Sequence, residues 1–279
     1  MKRTIAIALT ILLFAIIASA HDLFLKLDLY FLTPNTNGVV RLLNGTFNRS
    51  DGVVARDRFR DVSLVANGSR RSNAESFSWR NEDKTTLLEF QTGAPGTYLV
   101  AATTNPKEID LKAADFNDYL EHDGIPDTLA ERRRHNELSK DDRERYSKHV
   151  RAVFQVGDQL TNDYKMPLGY PVEIIPQQNP YAMKVGQTLT VLCTLDGEPL
   201  KNQFVIAGWE SRSGKLQTMT ARTDSKGLAN FMLKGAGNWY VKLIQMTRLA
   251  DATLNYESKW ATLTFAIRNQ KDETSRGVK

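Results

Sequence analysis

From Leu23 the apolar residues fall at every second position, Leu23, Leu25, Leu27, Leu29 and Phe31, which is the period of a half-buried strand. Short runs at hairpin spacing follow: Val39 to Leu43 ending at Asn44-Gly45, Val62 to Ala66 ending at Asn67-Gly68, Thr86 to Phe90, and Thr97 to Ala102 after Ala94-Pro95-Gly96. Strands this short, each closed by turn chemistry, predict an antiparallel sandwich. Between residues 110 and 149 the period changes. Ala113, Phe116 and Leu120 recur at helical spacing, with Asp110 as a candidate cap and Gly124 as a stop. A second helix is expected after Pro126-Asp127, and a third from Ser139, where an acid three residues on, Asp142, suits a capping box. Strands resume at Val150 to Val156 and Val172 to Ile175.

Pro176 to Pro180 reads as a linker. Beyond it the chain alternates strand and turn: Asp196-Gly197, then Phe204 to Trp209, Leu216 to Arg222, the turn Asp224 to Gly227, Leu228 to Leu233, Asn238 to Ile244 and Lys259 to Ile267. The fold class expected is therefore mainly β. Two antiparallel β-sandwich domains, Ig-like or prealbumin-like, span residues 21–176 and 181–268, with a helical insert at 110–149 in the first. A charged, unpatterned tail occupies 269–279.

The segment ahead of this pattern is of another kind. Lys2 and Arg3 precede a mainly apolar run from Ile5 to Ile17, and Ala18-Ser19-Ala20 supplies the small residues that a signal peptidase reads. Cleavage between Ala20 and His21 is expected, giving a periplasmic or secreted protein with no stable membrane span after processing. The formal net charge of +5 loses the two charges of Lys2 and Arg3 on processing. The remaining charges are mixed along the chain without an aromatic-interleaved basic stripe, so no nucleic-acid partner is expected. Arg132-Arg133-Arg134 lies among acids and reads as a solvated helix face. Cys193 is the single cysteine, so no internal disulfide forms. Its parity with Leu189, Val191 and Leu195 marks it as core packing.

Among residues that carry chemistry, His21 stands out. As a new N-terminus it would offer an α-amine and an imidazole, two nitrogens able to chelate one ion, and copper, nickel and zinc all accept such ligands. Asp22 could add an oxygen. His122, His135 and His149 lie in the helical block, and no two form a helical i, i+4 pair. The sequence has no His-Glu-x-x-His, cysteine pair, calcium loop, Gly-x-Ser-x-Gly or phosphate-cradling glycine loop. No enzyme activity is expected.

Taken together, several motifs resemble the NikM-like family, named after the substrate-specific component of nickel uptake. They are His21-Asp22, Pro95-Gly-Thr-Tyr98, Phe116 to Leu120 with Gly124, Arg145 to Val150 with Gln155-Val-Gly157, Pro171 to Pro176 with Asn179-Pro-Tyr181, Thr223-Asp224 to Gly227, and Tyr256 to Phe265. The C-terminal block also resembles prealbumin-like and carboxypeptidase-regulatory-like sandwiches. The first resemblance implies an exported protein that binds a divalent ion such as nickel, cobalt or copper and assists its uptake, working with a transporter or another envelope protein. Where relatives carry a His-Met pair after the Gly-x-Trp strand, this chain has Gln245-Met246, which implies an altered or softer site. The alternative expectation is a non-catalytic envelope interaction or scaffold module with no metal role.

Overall fold

The computed structural model describes residues 21–72, 76–211, 213–251 and 253–269. The signal-like segment and the tail after Asn269 lie outside the described residues. The first half of the chain runs β1 (Asp22–Leu27), β2 (Phe31–Leu32), β3 (Asn37–Thr46), β4 (Arg49–Gly52), β5 (Phe59–Ala66), β6 (Ser69–Ser72), β7 (Ser78–Glu82), β8 (Thr85–Gln91), β9 (Gly96–Thr104) and β10 (Lys107–Leu111). Two helices follow, α1 (Ala113–His122) and α2 (Pro126–Arg134), then β11 (Asp142–Val156) and β12 (Val172–Pro176). The remainder is β13 (Thr188–Leu195), β14 (Glu198–Pro199), β15 (Phe204–Glu210), β16 (Leu216–Arg222), β17 (Leu228–Met232), β18 (Gly237–Arg248) and β19 (Tyr256–Ile267). The fold is mainly β.

Three sheets stack. The central one has the order β16-β15-β18-β19-β11-β9-β5-β6, with β10 and β2 also paired to β11. One outer sheet is β1-β3-β8-β7 with β4 on β3, and the other is β12-β13-β14 with β17 on β13. Alternation along the central strands explains the layering. Leu64, Tyr98, Val100, Ala152 and Phe154 face the β1 sheet, with Leu25, Val40 and Leu88 opposite. Val65, Leu99, Ala101 and Val153 face the other way, toward Val172, Val191 and Phe231. All nine residues of β9 are therefore buried, as expected of a strand covered on both faces.

The two strand-rich blocks meet in this central sheet through β11 and β19, which pair in parallel from Glu144–Tyr256 to Ala152–Thr264. Val172–Pro176, expected to close the first block, instead pairs with β13 of the second. The third helix anticipated from Ser139 does not form: Asp142 opens a fifteen-residue strand. Its capping signal is local and weak, whereas β11 pairs with four different strands, so tertiary pairing overrides it. Asp142 serves a different purpose, pairing with Arg132, which is 1% exposed and stacks 4.8 Å from the Phe116 ring. This corrects the expectation of a wholly solvated arginine run. Only Arg133 and Arg134 face solvent, because helical rotation turns Arg132 inward beside Thr128 and Leu129. Gly124 does stop α1, at φ +86°. The alternation from Leu23 holds to Leu27, and Leu29 is exposed.

Candidate functional site

The site builds outward from β1. Leu23, Leu25 and Leu27 enter the core shared with the central sheet, and their neighbours Asp22, Phe24 and Lys26 point to the opposite face. That face would meet water in a two-layer sandwich, but here strands of the second block cover it. Phe24 packs against Phe47 and Tyr240 at ring separations of 5.5 and 5.3 Å, and Lys26 pairs with Glu210 at 2.7 Å. Asp22 is 9% exposed and accepts from Lys242 Nζ at 2.6 Å. The hydroxyls of Thr262 and Thr264 on β19 donate to the carbonyls of Leu23 and Leu25, which fixes the strand in register.

Lys242 occupies a core position of β18 and is held between Asp22 and the α1 cap residue Asp123, at 2.6 and 3.2 Å. Burial opposes its charge, but the two carboxylates outweigh that and raise the ammonium above the usual lysine range. Burial pushes Asp123 upward, moderated by Lys242. Across β19, on β11, is a second buried lysine. Lys148 donates to the carbonyl of His21 and lies 5.3 and 5.6 Å from the Trp260 and Tyr146 rings. Desolvation lowers its pKa to about 8, with Arg58 adding to the effect and Asp22 opposing it. Behind it Glu144 accepts from Ser258 and from Tyr119 at 3.3 Å, and burial raises its pKa to about 7. Glu144 Oε2 and Asp22 Oδ1 are buried without a hydrogen-bond partner.

The His21 imidazole lies at the surface end of this cluster. Its Nδ1 is 3.6 Å from Asp51 Oδ2, and the two side chains are 34% and 26% exposed. Asp51 is delivered by the short hairpin between β3 and β4, where the register slips between Asn44 and Gly45. A Cβ at Gly45 would stand 2.5 Å from the Arg49 carbonyl and 2.9 Å from Asp51 Oδ2, so glycine is what lets β4 fold back so closely on β3. The carboxylate facing the imidazole is thus Asp51, while Asp22 is turned to Lys242, because adjacent strand residues project to opposite faces. Among the described residues no group of three His, Cys, Asp or Glu side chains is arranged to hold a metal ion.

The other sequence candidates lie elsewhere. His149 is buried with both ring nitrogens engaged, Nδ1 at 2.7 Å from Thr103 Oγ1 and Nε2 at 3.0 Å from Ser147 Oγ. Desolvation lowers its pKa to about 3. His122 bonds within α1 to Asp118 and His135 caps α2, both exposed. Gln245 donates to Thr247 and Met246 packs beside the aromatic cluster of Phe116, Tyr256 and Trp260. Cys193 is buried, its thiol pushed up to about 12. Sequence reasoning missed Asp51, Lys148 and Lys242. Only Lys242 carried a signal, a lone cation inside Tyr240-Val-Lys-Leu-Ile244.

No curated protein matches the chain. Solved structures similar to it include the D0-D1 domain of intimin, at 15% identity over 86% of this chain and 95% of that one with a TM-score of 0.20. Titin Ig tandem domains A164-A165 align at 12% identity over 90% and 98% of the two chains, with a TM-score of 0.22. Among the described residues no helix is long and apolar enough to cross a membrane. A family profile matches residues 18–247, a span that takes in β1, the Asp51 hairpin, both helices and both buried lysines, and the chain belongs to that family, described as a domain of unknown function, DUF4198.

Proposed function

We propose that this is a non-catalytic protein of the bacterial envelope that binds one divalent transition metal ion, nickel or cobalt in the first place, at an N-terminus generated by cleavage before His21, and passes it to an uptake system. The observation that carries the reading is the approach of Asp51 to His21 Nδ1 at 3.6 Å. Nδ1 is the ring nitrogen that closes a six-membered chelate with the α-amine of the same residue. Two ligand atoms each about 2.1 Å from one ion stand roughly 3.0 Å apart at the right angle that nickel favours with nitrogen and oxygen donors and roughly 3.4 Å at the tetrahedral angle, so the pair need close by only a few tenths of an ångström to share an ion. An α-amine, an imidazole nitrogen and a carboxylate oxygen form a donor set that nickel, cobalt, copper and zinc all accept. The resemblance to NikM-like proteins supports uptake as the purpose.

Native mass spectrometry of protein exported and processed by a bacterial host, titrated with each of the four metals, tests the reading. A mass beginning at His21 with one retained ion is expected. The ion should be lost when an extra residue precedes His21 and weakened by Asp51→Asn. Equal retention with the extra residue present would overturn the reading, and no retention at all would leave an envelope interaction module.

A further inference from the structure

A cavity of about 260 Å3 opens beside β1, between the β4–β5 connection and the β10–β11 pair. Arg58, Lys107 and Lys148 line it, against the single carboxylate of Asp57. None of the three cations, the buried Lys148, the half-buried Arg58 and the exposed Lys107, forms an ion pair among the described residues, whereas the buried or half-buried Lys26, Arg70, Arg132, Arg151 and Lys242 all do. Leu23, Val53 and Val54 supply an aliphatic wall, and Val53 is an exposed apolar side chain, 46% accessible.

Lys148 is the informative member. It is 7% exposed, as is Lys242, yet Lys242 sits between two carboxylates whereas Lys148 has one carbonyl acceptor and two aromatic rings. Asp22, Asp123 and Glu144 reach it only as longer-range charges. A buried ammonium with two unclaimed protons and no counterion is costly, and the open side of this one is the cavity. Arg58 is prepared in a similar way. It donates to the Asn105 carbonyl and stacks 5.5 Å from the Tyr146 ring, leaving part of a planar donor fork that matches a carboxylate.

We propose that this cavity binds a small organic anion carrying two or more carboxylates, with Lys148 and Arg58 taking one end, Lys107 another, and Leu23, Val53 and Val54 covering the hydrocarbon between. Three cations at separate points call for more than one anionic group. The aliphatic wall selects a carbon skeleton over a bare oxyanion. The volume equals that of about eight or nine waters at roughly 30 Å3 each, which suits a compact di- or tricarboxylate and lies below the usual range for larger ligands. None of these contacts involves the imidazole, and the one link to His21 is the backbone carbonyl that accepts from Lys148, so the proposal does not require a metal there.

Isothermal titration of metal-stripped, processed protein with tricarballylate, succinate and inorganic phosphate tests it. Saturable one-to-one binding of tricarballylate, tighter than phosphate, is expected. Lys148→Met should weaken it about tenfold or more, the cost of a charged hydrogen bond, and Lys107→Ala, at an exposed position, several-fold with the fold untouched. The absence of binding by either carboxylate overturns the proposal, as does affinity unchanged in both variants. Phosphate binding as tightly as tricarballylate overturns the organic part. Should Lys148→Met fail to fold, Lys107→Ala and Arg58→Gln decide the matter by the same readout.

Discussion

The two buried lysines on either side of β1 present one side chain in two electrostatic settings. Lys242 is enclosed by Asp22 and Asp123, and the carboxylates overcome desolvation. Lys148, equally buried, meets a carbonyl and two ring faces, and desolvation prevails. The difference teaches that burial alone does not decide whether a charge belongs to the scaffold: its counterions do. The first lysine ties a helix cap and an N-terminal strand to the second block. The second leaves unspent charge beside a cavity.

The comparison breaks most visibly by truncation. Lys242→Ala strands the buried carboxylate of Asp22 and the half-buried one of Asp123 and is expected to cost about 3 kcal/mol, read as a lower urea midpoint at constant slope. Lys148→Met, which removes an under-compensated charge and keeps the stem, should be neutral or stabilising in the same experiment. A large loss in Lys148→Met with none in Lys242→Ala would reverse the assignment.

The next effect is in pH. Lys148 has a folded pKa of about 8 against 10.5 unfolded, so between those values the unfolded chain binds more protons and stability rises with pH. Lys148→Met should flatten that rise, by at most about 3 kcal/mol. Glu144 runs the other way. Its pKa of about 7 against 4.5 means that the folded chain holds the extra proton, and its contribution falls as pH rises from 4.5 to 7. Lys242 is raised above 10.5, so its contribution is complete below that value and is lost only above it.

His149 sharpens the contrast from the opposite face of the central sheet. It is buried neutral, with a pKa of about 3 against 6.5, so the unfolded chain takes up a proton first and stability falls as pH drops from 6.5 toward 3. His149→Gln, able to bond to Thr103 or Ser147, should extend acid tolerance in a circular dichroism titration. The smallest structural effect belongs to Asp51→Asn. At a partly exposed hairpin it should change unfolding by no more than about 0.5 kcal/mol while weakening metal retention. A large stability loss there would make the His21–Asp51 contact structural.

Much of the architecture was legible because strand alternation and turn chemistry are local. The Asn67-Gly68 turn has φ of +51° and +76°, β13 places Leu189, Val191 and Cys193 in the core, and the strands of the second block lie where their apolar runs put them. The site was legible only at His21. Asp51 reaches it through a bulged hairpin whose geometry depends on Gly45, and Lys148 lies 127 residues away on a strand whose beginning resembled a helix start.

By itself the sequence determined the β class, the first two helices and the buried single thiol, since each follows from spacing over a few residues. Tertiary structure alone decided that β11 and β19 would join the blocks in one sheet, that Arg132 would turn inward, and that Asp22 would serve Lys242. These outcomes depend on which charges become neighbours once water is excluded, and long-range pairing sets that after local propensity has been satisfied.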